Sequence, residues 1–123
     1  MLDGFNVITV KNTKGDEVQY PIAFTLNVME AAQDKYGTFQ KWAEKLSSGA
    51  DSVDIAAIIW TFETAINEGI DIENDDNGTK RPFITKKQAG RIVSSLGLSG
   101  ALSTLQSSVV KATKSDEAED PNE

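Results

Sequence analysis

Residues 53–69 read Val53-Asp-Ile-Ala-Ala-Ile-Ile-Trp-Thr-Phe-Glu-Thr-Ala-Ile-Asn-Glu-Gly69, and the rest of the chain is organised around them. As a helix, this stretch places Ile55, Ile59, Phe62 and Ile66 on one stripe, flanked by Ile58 and Ala65. Spacings of three and four are the signature of a helix with a buried side. Val53, Ala56 and Trp60 form a weaker stripe on another face. Asp54, Thr61, Thr64 and Glu68 mark the expected wet side. A helix apolar on two faces takes neighbours on both, so this one is expected at the centre of the fold. Asp51 with Asp54 resembles a capping box at its start, and Gly69 suits a left-handed stop at its end.

On the N-terminal side, Phe5-Asn-Val-Ile-Thr-Val10 alternates as a strand, with Phe5 and Val7 on one face. Lys11-Asn-Thr-Lys-Gly-Asp16 is a turn cluster, and Val18 and Tyr20 alternate in a second strand. A hairpin over 5–21 follows, ending near Pro21, which has no N–H to donate. A lone hairpin is marginal in water, so this one has to pack on helices. The spacing predicts a helix over about 25–36, with an Asn27–Glu30 capping box and Val28, Met29, Ala32 and Tyr36 inward. A short helix over 38–47 starts at Thr38 and carries Phe39, Trp42 and Leu46. Beyond the central helix (52–68), the alternation of Ile70 and Ile72 with acids allows a short second hairpin around Asn77-Gly78. Thr85 with Gln88 caps a helix over 85–96, in which Ala89, Ile92, Val93 and Leu96 recur at helical spacing. Gly90 inside it costs about 1 kcal/mol relative to alanine and marks a place for close packing. Gly97 is the expected stop. Leu98, Leu102, Leu105, Val109 and Ala112 form a heptad-like seam in a last helix, 98–113. Residues 114–123 hold five acids against one lysine and no large apolar group, and are expected to be a disordered tail. The fold expected is α+β, mainly α: a hairpin packed on a compact bundle of about five helices, forming one domain over 1–113.

Composition narrows the function. The 123 residues carry a formal charge of −7, with no histidine and no cysteine. An acidic chain is ill suited to phosphate backbones, so no nucleic-acid partner is expected. The usual neutral-pH acid/base and the thiolate nucleophile are missing. The N-terminus has no signal-peptide pattern, and no apolar run nears the ~20 residues of a membrane span. A cytoplasmic protein without a membrane partner is expected.

Glu73, Asp75, Asn77 and Gly78 match the start of an EF-hand loop, but Ile84 stands where the closing glutamate is required, so no metal site is assigned. Lys80-Arg81 and Lys86-Lys87 are the basic cluster, with Asp75 and Asp76 close by to offset them. Glu63 lacks the partner groups a general acid needs. No phosphate loop or serine elbow is present. No catalytic residue and no cofactor are assigned, and the chain is not expected to be an enzyme. For contact with a partner, Trp42 and the seam of Leu102, Leu105 and Val109 are the candidates, by side-chain type and periodicity. The same seam could serve self-association.

Four segments carry a family resemblance: the hairpin leading into Tyr20-Pro-Ile-Ala-Phe-Thr-Leu-Asn27; Ala31-Ala-Gln-Asp-Lys-Tyr-Gly37; Ile58-Ile-Trp-Thr-Phe62 through Ile66-Asn-Glu-Gly-Ile70; and Pro82-Phe-Ile-Thr-Lys-Lys-Gln-Ala-Gly-Arg-Ile92. Over about residues 5–96 the chain resembles the tail assembly chaperones of long-tailed bacteriophages and prophages. It departs from their pattern at the basic pair Lys86-Lys87. The resemblance implies a non-enzymatic helper in the bacterial cytoplasm, absent from the finished virion. Such a helper binds the tape measure protein, keeps it soluble and helps recruit tail tube subunits. A longer frameshifted form with its junction in the polar tail is also implied. The alternative is an acidic phage-type interaction or inhibitor protein such as a DNA mimic, which needs carboxylates in ordered rows. Here they concentrate in a loop and the tail.

Overall fold

The computed structural model describes residues 5–47 and 54–118; the side chains of Ser47 and of 108–118 lie outside that description. The fold is α+β and mostly helical. Two strands, β1 (Phe5–Lys11) and β2 (Glu17–Ala23), precede four helices: α1 (Leu26–Tyr36), α2 (Phe39–Ser47), α3 (Ile55–Asn77) and α4 (Lys86–Ala118).

The strands pair antiparallel, with Ile8 opposite Tyr20 and Val10 opposite Val18. Asn12 makes the turn: its Oδ1 accepts from the N–H groups of Lys14 and Asp16, at 2.9 and 3.0 Å. The inward face of β1 carries Ile8 and Val10, while Val7 is exposed. The expected face through Phe5 and Val7 is therefore the outer one. Alternation fixes the period but not which face is covered.

The central helix is α3, as its sequence implies, but it is rotated and longer. Ile58, Phe62, Ala65, Ile66 and Ile70 are fully buried, whereas Ile55 is 52% exposed and Ile59 is half-buried. Thr61, expected on the wet side, is fully buried. The helix runs through Gly69 to Asn77 and stops at Gly78, whose left-handed backbone (φ 66°, ψ 26°) is one that glycine adopts without strain. No second hairpin forms at Ile70–Ile72. Gly69 is instead a contact point: a Cβ there would stand 2.8 Å from the carbonyl carbon and oxygen of Pro21 and 3.0 Å from the nitrogen of Ile22. Backbone thus lies on backbone where β2 crosses α3.

Asp54 caps α3 and accepts from the Ala57 N–H at 2.9 Å. That hydrogen bond, aided by Lys45 at 3.2 Å, holds the Asp54 carboxyl below its ordinary range. A group depressed in the folded state stabilises above its unfolded pKa and loses that contribution as pH falls through the folded one. Asp54→Ala is expected to cost about 1 kcal/mol in urea unfolding at neutral pH. The gap from wild type should close on acidification below the ordinary aspartate range. A gap that stays constant into acid would show that the carboxylate charge has no part in the cap.

The start of α1 is held differently from the expected Asn27–Glu30 box. Thr25 is the N-cap residue, but its hydroxyl donates to Glu68 of α3, and Asn27 Nδ2 donates to the same carboxylate at 3.2 Å. A carboxylate beside the first turn also suits the helix dipole. Thr38 accepts from the Lys41 N–H at 3.0 Å, as a cap for α2 should. At α4 the capping box forms in both directions: Gln88 N–H to Thr85 Oγ1 at 3.2 Å, and Thr85 N–H to Gln88 Oε1 at 2.8 Å.

The helices number four rather than about five because α4 continues past Gly97. That residue is non-helical (φ 78°, ψ 155°), so the helix breaks direction there without separating into two elements. Only glycine populates such a conformation readily. The helix reaches Ala118, so Lys114–Ala118, expected within the disordered tail, are helical; residues 119–123 lie outside the described residues.

Candidate partner-binding surface

The contact residues suggested by periodicity are mostly interior. Trp42 is fully buried between Phe24 and Phe39, with ring centroids at 6.2 and 5.2 Å. Its indole Nε1 donates to Thr61 Oγ1 at 2.9 Å, and that hydroxyl donates to the Ala57 carbonyl at 2.7 Å. Leu105 is also fully buried and Leu102 is half-buried. Trp42 and Leu105 are thus core residues and not surface anchors. Val109 falls outside the described side chains. The seam packs inward because α4 lies along α2 and α3.

The other tryptophan sits nearer the surface. Trp60 is half-buried and meets the Tyr36 ring edge-on at 5.5 Å, with Lys35 Nζ 5.7 Å from its centroid. Burial first and the Asp54 charge second push the Tyr36 phenol above its ordinary pKa, so it stays protonated at neutral pH.

The segment between α3 and α4 is strapped down by two asparagines seven residues apart on α3. Asn67 bonds both backbone groups of Ile84: Nδ2 donates to its carbonyl at 3.1 Å and Oδ1 accepts from its N–H at 2.8 Å. Asn74 does the same to Arg81, at 3.0 Å each way. The two side chains replace a strand partner for this piece of chain. In an extended segment successive side chains point to opposite sides. With Ile84 buried by the Asn67 clamp, Phe83 is turned out, and it is 58% exposed.

Leu26 is outward for a similar geometric reason. Val28 and Ala32 are the buried side of α1. Two residues of helix turn the chain by about 200°, so Leu26 lies opposite Val28. It is 71% exposed, and together with Met29, Phe39, Glu30 and Gln33 it lines a shallow groove of about 460 Å³. Phe83 borders a second hollow of about 220 Å³ that includes Asn27, Val28, Glu68 and Asp71. The two hollows meet at the first turn of α1. They form an apolar surface rimmed by Glu30, Glu68 and Asp71, with no cation among the described lining residues.

Sequence reasoning missed Leu26 and Phe83. The signal for Leu26 was its phase relative to Val28 and Ala32. Phe83 gave none without the asparagine clamp. The positions matching an EF-hand loop, Glu73 to Asn77, are the last turn of α3. Asn74 there is committed to the strap. Among the described residues no group of three or more potential ligands could hold a metal ion, and no helix is long and apolar enough to cross a membrane. Comparison with protein-family models, with curated proteins and with solved structures found no match.

Proposed function

We propose that this protein is a non-catalytic tail assembly chaperone of a long-tailed phage or prophage, acting in the host cytoplasm and absent from the finished virion. It binds the tape measure protein, keeps it soluble and helps bring tail tube subunits to it. The observation that carries the reading is the solvent-facing apolar surface of Leu26, Met29, Phe39 and Phe83 with its acidic rim. Exposed apolar groups with polar rims mark protein contact sites, and such a face accepts an amphipathic helix with basic flanks. The net charge of −7 helps keep a complex with an aggregation-prone chain in solution. The four sequence segments from the hairpin to Ile92 support the same assignment. In this reading the arm after Gly97 behaves as a fifth helix that can reorient about the break.

The test is co-expression with the tape measure protein of the same phage, scoring the soluble fraction and a complex on gel filtration. Wild type is expected to raise solubility well above an empty vector. Leu26→Asp with Phe83→Asp should return it to the vector level while leaving the melting temperature nearly unchanged, since both side chains are exposed. If wild type gives no more soluble protein than the vector and no complex elutes, the chaperone assignment is wrong. If the double variant is as effective as wild type, the surface is wrong.

A further inference from the structure

A second groove, of opposite charge character, lies between the hairpin and the first half of α4. We propose that it docks an acidic segment of a partner protein that carries aliphatic or aromatic side chains. The inference goes beyond the tape measure assignment, which uses the face around Leu26 and Phe83.

The groove arises because the hairpin overhangs the body. At its open end the inner sheet face packs on α3 through Ile22. Toward the turn the same face is covered only by α4, where Ser94 and Ser95 stand in place of large side chains. Ser95 reaches the Lys11 carbonyl at 3.3 Å. Space of about 780 Å³ remains, within the usual range for a ligand site. Val10, Val18, Tyr20 and Ile92 form its apolar floor, and Lys11 and Arg91 stand at its rim.

Charge selects the occupant. No carboxylate lines the groove among the described residues, in a chain with 19 acids and 12 bases. Lys11 and Arg91 are exposed, and neither forms an ion pair among the described residues. Arg81 nearby differs: it lies 5.0 Å over the Tyr20 ring, donates to the Gln19 carbonyl at 2.8 Å and faces Glu73 at 4.0 Å. Arg81 is therefore committed within the fold, and Lys11 and Arg91 are the cations available to a ligand. An apolar floor with two uncommitted cations is complementary to a segment that offers carboxylates beside apolar groups.

The test is a titration of the full chain with a short fluorescein-labelled peptide of leucine and glutamate residues. Its lysine counterpart, and decanoate as a non-peptide carboxylate, serve as controls. The glutamate peptide is expected to bind and to shift the methyl resonances of Val10, Val18 and Ile92, more weakly as salt rises. Lys11→Glu with Arg91→Glu should weaken it about tenfold or more with no change in melting temperature. The proposal is overturned if the lysine peptide binds as well, if the groove methyls do not move, if the double variant binds equally, or if decanoate occupies the groove and the peptide does not. None of those outcomes touches the chaperone assignment, which is read at Leu26 and Phe83 by solubility.

Discussion

Trp42→Ala is expected to destabilise the protein by about 3–5 kcal/mol, the range for removing a fully buried large aromatic. Trp42 has no exposed surface, packs against Phe24 and Phe39, and ties α2 to α3 through Thr61. Domains of this size hold about 5–15 kcal/mol in all, so the variant would keep only part of its stability. The chain has two tryptophans, so the variant leaves Trp60 as its single indole reporter. Urea unfolding followed by Trp60 emission measures the loss directly. Trp42→Phe should fall between the two, because it keeps an aromatic ring and gives up the Thr61 hydrogen bond. The Thr61 hydroxyl still donates to Ala57, so it is not stranded. If Trp42→Ala melts like wild type and instead fails to hold a partner, the residue belongs to an interface and the packing described above is wrong.

Much of the architecture was legible from spacing. The hairpin, the four helical segments and the caps at Thr38 and Thr85 follow from local pattern, and local pattern is what they depend on. The misreadings share one cause, which is that burial is settled by residues far away in sequence. The run from Ile55 to Ile66 has apolar groups on most sides, so its periodicity fits more than one buried stripe. Packing against β2 and α4 selects Ile58, Phe62, Ala65 and Ile66, and leaves Ile55 in solvent. Trp42 sits on a short helix with little apolar company of its own. Its environment comes from Phe24 and Thr61, which lie 18 and 19 residues away in sequence. The contact candidates failed for the same reason: large apolar side chains at regular spacing describe a core as well as a surface. The face around Leu26 and Phe83 came into view only once α1 had a buried side and the Asn67 clamp had fixed the phase of residues 82–84.

Glycine poses the same problem in its sharpest form, and two substitutions separate the answers. Gly69 and Gly90 both lie inside helices, and helix propensity alone favours alanine by about 1 kcal/mol at each. At Gly90 a new Cβ would meet only the Ile59 Cδ1, at 3.7 Å, an ordinary contact with a side chain able to adjust. Gly90→Ala is therefore expected to stabilise by up to about 1 kcal/mol, and the close packing expected there from sequence is absent. At Gly69 the new methyl would press at 2.8–3.0 Å on three backbone atoms of Pro21 and Ile22. Backbone cannot rotate away as a side chain does, so α3 would have to lift from β2 at the point where the hairpin meets the central helix. Overpacking of this kind costs about 1–3 kcal/mol and sometimes more. The immobile contact places Gly69→Ala at the upper end, and the propensity gain offsets only part of it. The opposite signs make the comparison decisive in one pair of melting curves: Gly90→Ala at or above wild type, Gly69→Ala well below it. If Gly69→Ala were instead stabilising, β2 would not cross α3 in backbone contact, and the docking of the hairpin on the helices would have to be redrawn.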